Sequence, residues 1–494
     1  MLPTTAARIA EITGGSLVGG ADGTETVDGS ARVDSRLIGP GDLFAAFDGE
    51  RTDGHAHARA ARDAGAPLAL VSRDVDVPAV RVDDVRDALG ALARVQLERA
   101  RAERTDRGAA PLVVIAVTGS AGKTGTKDLL ADLLGTTGET IAPIGSFNNE
   151  LGLPLTVLGL TSGTRFLVLE MGARGIGHIT HLTDIARPDI ALVLNIGSAH
   201  LGEFGSVDAI ARAKGEIIEA LTPTGRAVLN ADDPRSIGLA PRTAAPVVSW
   251  GLGGTGDVTG ADLDLDENAH ARFTLTVPDG LRAVDGTPVT PTTREITLRM
   301  IGEHQAANAL AATTAALLAG VDVEAAARAL EAATPRSGQR MESHELPRGI
   351  TLINDAYNAN PDSMRLALRT LAHIGRTRRT VAVLGEMLEL GEDSIDLHDG
   401  IGRLAVRLNI GQLISVGDGA RPIHQGATLE GSFGGESLHV DTVEDAVAVL
   451  ERSVRPGDVI LLKSSRDAGL RRVGPLLQAR LDPQPEDTTG KADA

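Results

Sequence analysis

The stretch PLVVIAVTGSAGKTGTKDLL at residues 111–130 constrains this chain more than any other. Residues 111–117 are short, β-branched and uncharged, as a strand covered on both faces should be, and residues 124–130 resume as a helix. Between them runs Thr118-Gly119-Ser120-Ala121-Gly122, followed by Lys123 and Thr124. Glycines let backbone N–H groups turn toward a phosphate, the new helix offers its positive end, Lys123 adds a cation and Thr124 a hydroxyl for Mg2+. The strand before and the helix after make this a nucleotide-binding P-loop. The strict eight-residue pattern wants glycine where this chain has Val117, so Gly119 serves and the loop is a shortened variant. Gly125, inside the first helical turn, costs about 1 kcal/mol relative to alanine, and helix propensity does not explain it.

A length of 494 residues implies about three domains, with 42% hydrophobic residues to fill their cores. The net charge of −18 disfavours nucleic acid or an anionic membrane as partner, and a polyanionic substrate then needs a locally basic pocket. No apolar stretch approaches ~20 residues, the N-terminus lacks signal-peptide order, and no membrane insertion is expected. The chain has no cysteine, which excludes disulfides and thiolate metal sites. A cytoplasmic monomer is the expectation.

The chain divides into three α/β units. Residues 1–108 form the first, with helices at 4–12, 55–64 and 85–100, strands at 41–47 and 67–71, and a charged segment at 101–107 read as a linker. Residues 109–337 form a central parallel-sheet unit with strands at 166–169, 190–194 and 227–229. Antiparallel hairpins across 251–300 and an alanine-rich helix at 305–318 complete it. Residues 338–494 form a Rossmann-like unit with four strands, at 351–353, 380–384, 412–416 and 459–462, and a disordered tail from about 483.

Ligands in such sheets sit beyond the carboxyl ends of the strands, and several polar residues fall there. Glu170 can hold Mg2+ directly or through water, although a strand-end glutamate alone is as a rule a solvated turn residue. His200 and Glu203 follow the strand at 190–194, and Lys214 lies on a helix where its default role is a surface cation. In Asn354-Asp355-Ala356-Tyr357-Asn358-Ala359-Asn360-Pro361, Asp355 can accept from a ribose hydroxyl; a plain helix-capping turn is the other reading. This turn holds the single tyrosine of the chain. Lys463 and Arg466 place two cations at another strand end, suited to a carboxylate or phosphate.

Taken together, Thr118 to Thr124, Asn148-Asn149-Glu150 through Thr156, Leu169-Glu170-Met171-Gly172 and Asn195 to His200 resemble the Mur ligase family. So do Ala213 to Ile217, Asn230 to Asp233, Gly302 to Asn308 and Asp355 to Ser363, in family order across nearly the whole chain. Within the family, Tyr357 to Met364 and Gly385-Glu386-Met387-Leu388-Glu389-Leu390-Gly391 resemble the branch that joins D-Ala-D-Ala to UDP-N-acetylmuramoyl-tripeptide. The branch adding the third peptide residue shows Asp-Tyr-Ala-His where this chain has Asp355-Ala356-Tyr357-Asn358. It also carries an Asn-Pro-Arg motif absent from the last unit here. That branch and a folylpolyglutamate synthase-like ligase are the alternatives, with a P-loop switch ATPase or a non-catalytic binding module as rivals of other classes.

The resemblance implies ATP and two Mg2+ ions. ATP phosphates would lie on Lys123 and the loop Thr118, Gly119, Ser120, Ala121, Gly122 and Thr124. Thr124 and Glu170 would hold one Mg2+ and His200 a second. Lys214 matches a lysine that several members carbamylate into a metal ligand. Asn308 would meet adenine, Arg340 the γ-phosphate region and Asp355 the ribose. Ser35, Arg36, Asp53, Gly54 and His55 would bind the uridine diphosphate end, and Asn149, Asn358, Asn360, Lys463 and Arg466 the peptide substrates. Two departures are Gly125, where the family has Ser or Thr, and Ser464, where it has Gly.

Overall fold

The computed structural model describes residues 1–49, 52–197, 201–432 and 435–481. The expected disordered tail and His200 therefore lie outside the described residues. Sheets of two, five, nine and six strands organise the chain. The five-stranded sheet belongs to the first unit, where the strands expected at 41–47 and 67–71 occur as the parallel pair Leu43–Ala45 and Leu68–Val71.

Val113–Thr118 is buried at all six positions because both its faces are covered. Val114 and Ala116 face one core, which they share with Leu89, Leu92 and Leu97 of the first unit. Ile115 and Val117 face another, built with Leu129, Leu133 and Leu310. Phe166–Glu170 and Ile190–Val193 flank it as parallel neighbours, and Arg226–Asn230 and Val247–Gly251 extend the sheet in the same sense. Val258–Leu265, His270–Val277 and Thr292–Ile301 then add antiparallel pairs, as the alternating pattern indicated. The alanine-rich helix, His304–Leu318, is almost wholly buried, and small side chains let it lie against the P-loop helix Lys123–Gly135.

The segment 101–107 is not a linker. It continues the helix Val85–Asp106 almost to its end. Arg104 is buried there, donating to the carbonyls of Ala110, Gly163 and Thr164 at 2.7, 3.1 and 3.0 Å. Arg101 pairs with Asp189 at 2.9 Å. Charges that suggested a solvated tether instead satisfy carbonyls of the central unit.

The last sheet has six strands where four were expected. Its order is Glu342–Leu346, Ile350–Asp355, Val459–Lys463, Thr380–Gly385, Gln412–Val416 and Ser437–Val440. The two additional strands are the edges. Glu342–Leu346 is largely exposed and charged and pairs antiparallel, so it lacks the apolar run that marks a buried parallel strand. Among the described residues no helix is long and apolar enough to cross a membrane.

Candidate active site

A cleft of ≈ 980 Å³ opens between the carboxyl ends of the central and last sheets. It gathers Ser120, Ala121, Gly122, Lys123, Thr124, Asn149, Glu170, Lys214, Asn308, Arg340, Asp355, Asn358, Asn360, Lys463 and Arg466. These residues come from two units and more than 340 positions of sequence, counting from Ser120 to Arg466. Thr118 lies beneath the loop, its hydroxyl donating to Met171 O at 2.8 Å. The first-unit candidates do not line this cleft. Ser35 and Arg36 lie in a single turn capped by Asp34, whose pKa falls to about 2 because Arg36 donates to it. Asp53 accepts from His55 Nδ1 at 2.9 Å and pairs with Arg73, while Ser72 N donates to His55 Nε2 at 3.0 Å.

The P-loop is braced by Asn195. Its backbone O accepts from Ser120 N at 3.0 Å and its Oδ1 from Ala121 N at 2.9 Å. Those two amides are committed, and an anion is left the first-turn amides of the helix beginning at Lys123, which have no helical acceptor. Gly122 turns the chain into that helix at φ +84, with a would-be Cβ 2.5 Å from Asn308 Oδ1. Gly125 is explained in the same way. A Cβ there would stand 3.0 Å from Asn308 Nδ2, and that amide is held by Gln305 Oε1 at 3.1 Å. The packing of the alanine-rich helix against the P-loop helix leaves a tight fit for any side chain at this position.

Glu170 is 1% exposed. Thr124 Oγ1 donates to its Oε2 at 2.9 Å and Asn148 Nδ2 to its Oε1 at 2.7 Å. Lys123 Nζ turns back onto Gly119 O at 2.8 Å. Burial pushes the Lys123 pKa down, Glu170 works against that, and Arg340 adds to it. Lys214 is 2% exposed and, among the described residues, its Nζ has no hydrogen bond or ion pair. Burial first, then the charge of Lys123, push its pKa well below the ordinary lysine value.

On the opposite wall, Lys463 Nζ donates to Asp355 Oδ2 at 2.6 Å and to Asn358 O at 3.0 Å. The pair follows from strand register, since Asp355 and Lys463 are neighbours on parallel strands. Asp355 Oδ1 accepts from Met341 N at 3.1 Å. Lys463 is thus tied to a carboxylate, and the free cationic faces belong to Arg340 and Arg466, which lie 4.3 and 5.9 Å from the Tyr357 ring. Asn360 caps the helix Pro361–Ile374 in a capping box with Ser363, and Asn149 Oδ1 accepts from Gly152 N at 2.9 Å. For these two asparagines the capping reading accounts for the side-chain oxygens. Ser464 Oγ donates to Ser465 O at 2.9 Å within the buried strand-end turn.

The donor set fits a magnesium nucleotide. Thr124 and Glu170 offer hard oxygens 2.9 Å apart, the helix start faces the same space, and Arg340 Nε is buried with no partner among the described residues. Sequence reasoning missed Ser146, whose hydroxyl meets both Thr124 and Arg340, and underused Asn148 and Asn195. The repeated asparagine beside Asn149 was a signal for Asn148; Ser146 carried none.

Models of the Mur ligase middle domain, the Mur ligase glutamate ligase domain and the Mur ligase catalytic domain match residues 117–316, 339–466 and 31–97. The UDP-N-acetylmuramoyl-tripeptide--D-alanyl-D-alanine ligase of Mycobacterium tuberculosis is 45% identical over 99% of both chains. The chain belongs to the Mur ligase family. The Escherichia coli ligase of the same name is 33% identical, covering 97% of this chain and 99% of that protein. MurF from Acinetobacter baumannii superposes with a TM-score of 0.82 at 31% identity over 96% of this chain and 99% of that one. Thermotoga maritima MurF in complex with ADP gives 0.73 at 28%, over 92% and 98%. A diaminopimelate-adding ligase structure gives 0.52 at 20% identity, a likeness of fold alone.

Two outcomes test this geometry. Gly125→Ala should forgo the ~1 kcal/mol that helix propensity offers and lower the thermal midpoint, while the same change in an Asn308→Ala background should raise it. Equal gains in both backgrounds would contradict the packing account. The second concerns His398, which accepts from Met387 N at 2.8 Å and donates to Ser394 O at 2.7 Å, fixing the loop that puts Leu388 to Leu390 on the cleft. Burial lowers its pKa below 6.5, so the unfolded chain takes up the proton first and stability falls as pH drops below 6.5. Urea unfolding from about pH 7 to about pH 5 should show a shallower decline in His398→Gln than in the wild type.

Proposed function

We propose that this member of the Mur ligase family joins D-Ala-D-Ala to UDP-N-acetylmuramoyl-tripeptide at the expense of ATP, forming an amide, ADP and phosphate. The observation that carries a ligation chemistry is the single cleft in which a P-loop, a buried carboxylate and cations from the opposite unit converge. The dipeptide and the tripeptide come from full-length relatives that bear that name, at 45% identity.

Joining a carboxylate to an amine in water needs a leaving group better than hydroxide. The terminal carboxylate of the tripeptide attacks the γ-phosphorus in line, giving an acyl phosphate and ADP. The amine of the dipeptide then attacks the acyl carbon and phosphate departs. Lys123, the first-turn amides and Arg340 meet the charge that develops on the transferred group, so the protein contributes positioning and preorganised electrostatics. Mg2+, held by Thr124 and Glu170, would neutralise phosphate oxygens when bound. Lys214, whose charged form is disfavoured by burial, is the lysine that would take up CO2, losing a proton as its amine becomes a carbamate anion. Tyr357 lines the cleft with its ring against Arg340 and Arg466.

Sustained release of ADP over many turnovers, followed by a coupled assay, should require the tripeptide carboxylate and D-Ala-D-Ala together. Single diamino acids or glutamate in place of the dipeptide should give no product by mass spectrometry. Lys123→Ala should lower kcat at least about a hundredfold, the scale of one lost transition-state charge contact. ADP release that is indifferent to the amine, or confined to glutamate with a folate, would overturn this reading.

A further inference from the structure

Ser146 is not titratable, yet its hydroxyl sits where the two halves of the cleft meet. Arg340 Nη2 donates to Ser146 Oγ at 2.7 Å across a separation of 194 residues. The same oxygen lies 2.9 Å from Thr124 Oγ1. A hydroxyl has one proton to give, and Thr124 gives its own to Glu170 Oε2 at 2.9 Å. The proton between the two hydroxyls therefore belongs to Ser146. A guanidinium can only donate and a carboxylate here only accepts, so the bonds run one way: Arg340 to Ser146 to Thr124 to Glu170. Fixed charges at both ends lock both hydroxyl rotors, and each bond polarises the next.

Among the described residues this is the single hydrogen bond of the Arg340 guanidinium, whose Nε is buried without a partner. The Tyr357 ring, 4.3 Å from the guanidinium carbon, holds the group by a contact without directional hydrogen bonds. Ser146 supplies the missing direction. We propose that Ser146 is a positioning residue for ligation, aiming Arg340 across the domain boundary at the phosphoryl group gathered by the P-loop. The inference rests on the ligase reading above. It adds that the strength of the Arg340 contact in the transition state is set by a hydroxyl that touches no reacting atom.

Steady-state ligation with UDP-N-acetylmuramoyl-tripeptide, D-Ala-D-Ala and ATP, alongside calorimetric titration of MgADP, tests this on the full chain. Ser146→Ala should lower kcat about tenfold, the worth of one hydrogen bond to a charged group, with MgADP affinity changed less than about twofold. Ser146→Thr, which keeps the hydroxyl, should recover most of kcat. In an Arg340→Ala background, Ser146→Ala should cost less than about twofold more. Wild-type kcat in Ser146→Ala, MgADP affinity that falls in step with kcat, or an undiminished loss in the Arg340→Ala background would overturn the inference while leaving the ligase reading intact. A wild-type chain that turns over ATP continuously without the dipeptide would overturn both.

Discussion

A carboxylate at the end of a buried strand is costly unless its lone pairs are met, and Glu170 is such a group at 1% exposure. The site is arranged around that cost. Thr124 and Asn148 each supply a hydrogen bond, and the charges of Glu170 and Lys123 interact. Thr124 can serve only because the P-loop turns the helix start toward Glu170, and the loop keeps its shape because Asn195 occupies two of its amides. One buried charge thereby fixes the loop, the helix and the cation brought from the other unit. The concentration of positive charge stands out in a chain of net charge −18, where a polyanionic nucleotide would otherwise meet repulsion.

The facing wall follows the same economy with different partners. Asp355 and Lys463 satisfy each other on adjacent strands, leaving Lys463 2% exposed and unable to reach far into the cleft. Arg340 and Arg466 then lie over one tyrosine ring on that side, 4.3 and 5.9 Å from its centroid. The loop from Glu386 to Leu390 completes this wall, tied by His398 at Met387 and by Ser465 at Leu388.

Much of this was legible in the sequence where local chemistry and position agreed. The P-loop read correctly because a buried strand, a glycine turn and a helix start each announce themselves within twenty residues. Glu170, Asp355 and Lys463 followed from the rule that ligands gather at strand ends. What failed were features defined by partners far along the chain. The charged run around Arg104 looked like a tether because the carbonyls of Gly163 and Thr164 that bury it are invisible locally. Gly125 looked like a defect until Asn308 was seen against it. Edge strands such as Glu342–Leu346 escaped because solvent on one side removes the hydrophobic signal. Ser146 gave no sign, since its meaning lies wholly in Arg340, 194 residues away.

In the proposed ligation the two walls form one site, where a substrate carboxylate captures the phosphoryl group before the amine arrives. Isotope transfer tests it most directly. With both terminal carboxylate oxygens of the tripeptide labelled as 18O, the attacking oxygen becomes the bridge of the acyl phosphate and leaves with phosphorus. One 18O is expected in each inorganic phosphate released during ligation, read by mass spectrometry. Unlabelled phosphate, with one labelled oxygen kept in the new amide and the other lost to water, would contradict capture of the phosphoryl group by the carboxylate.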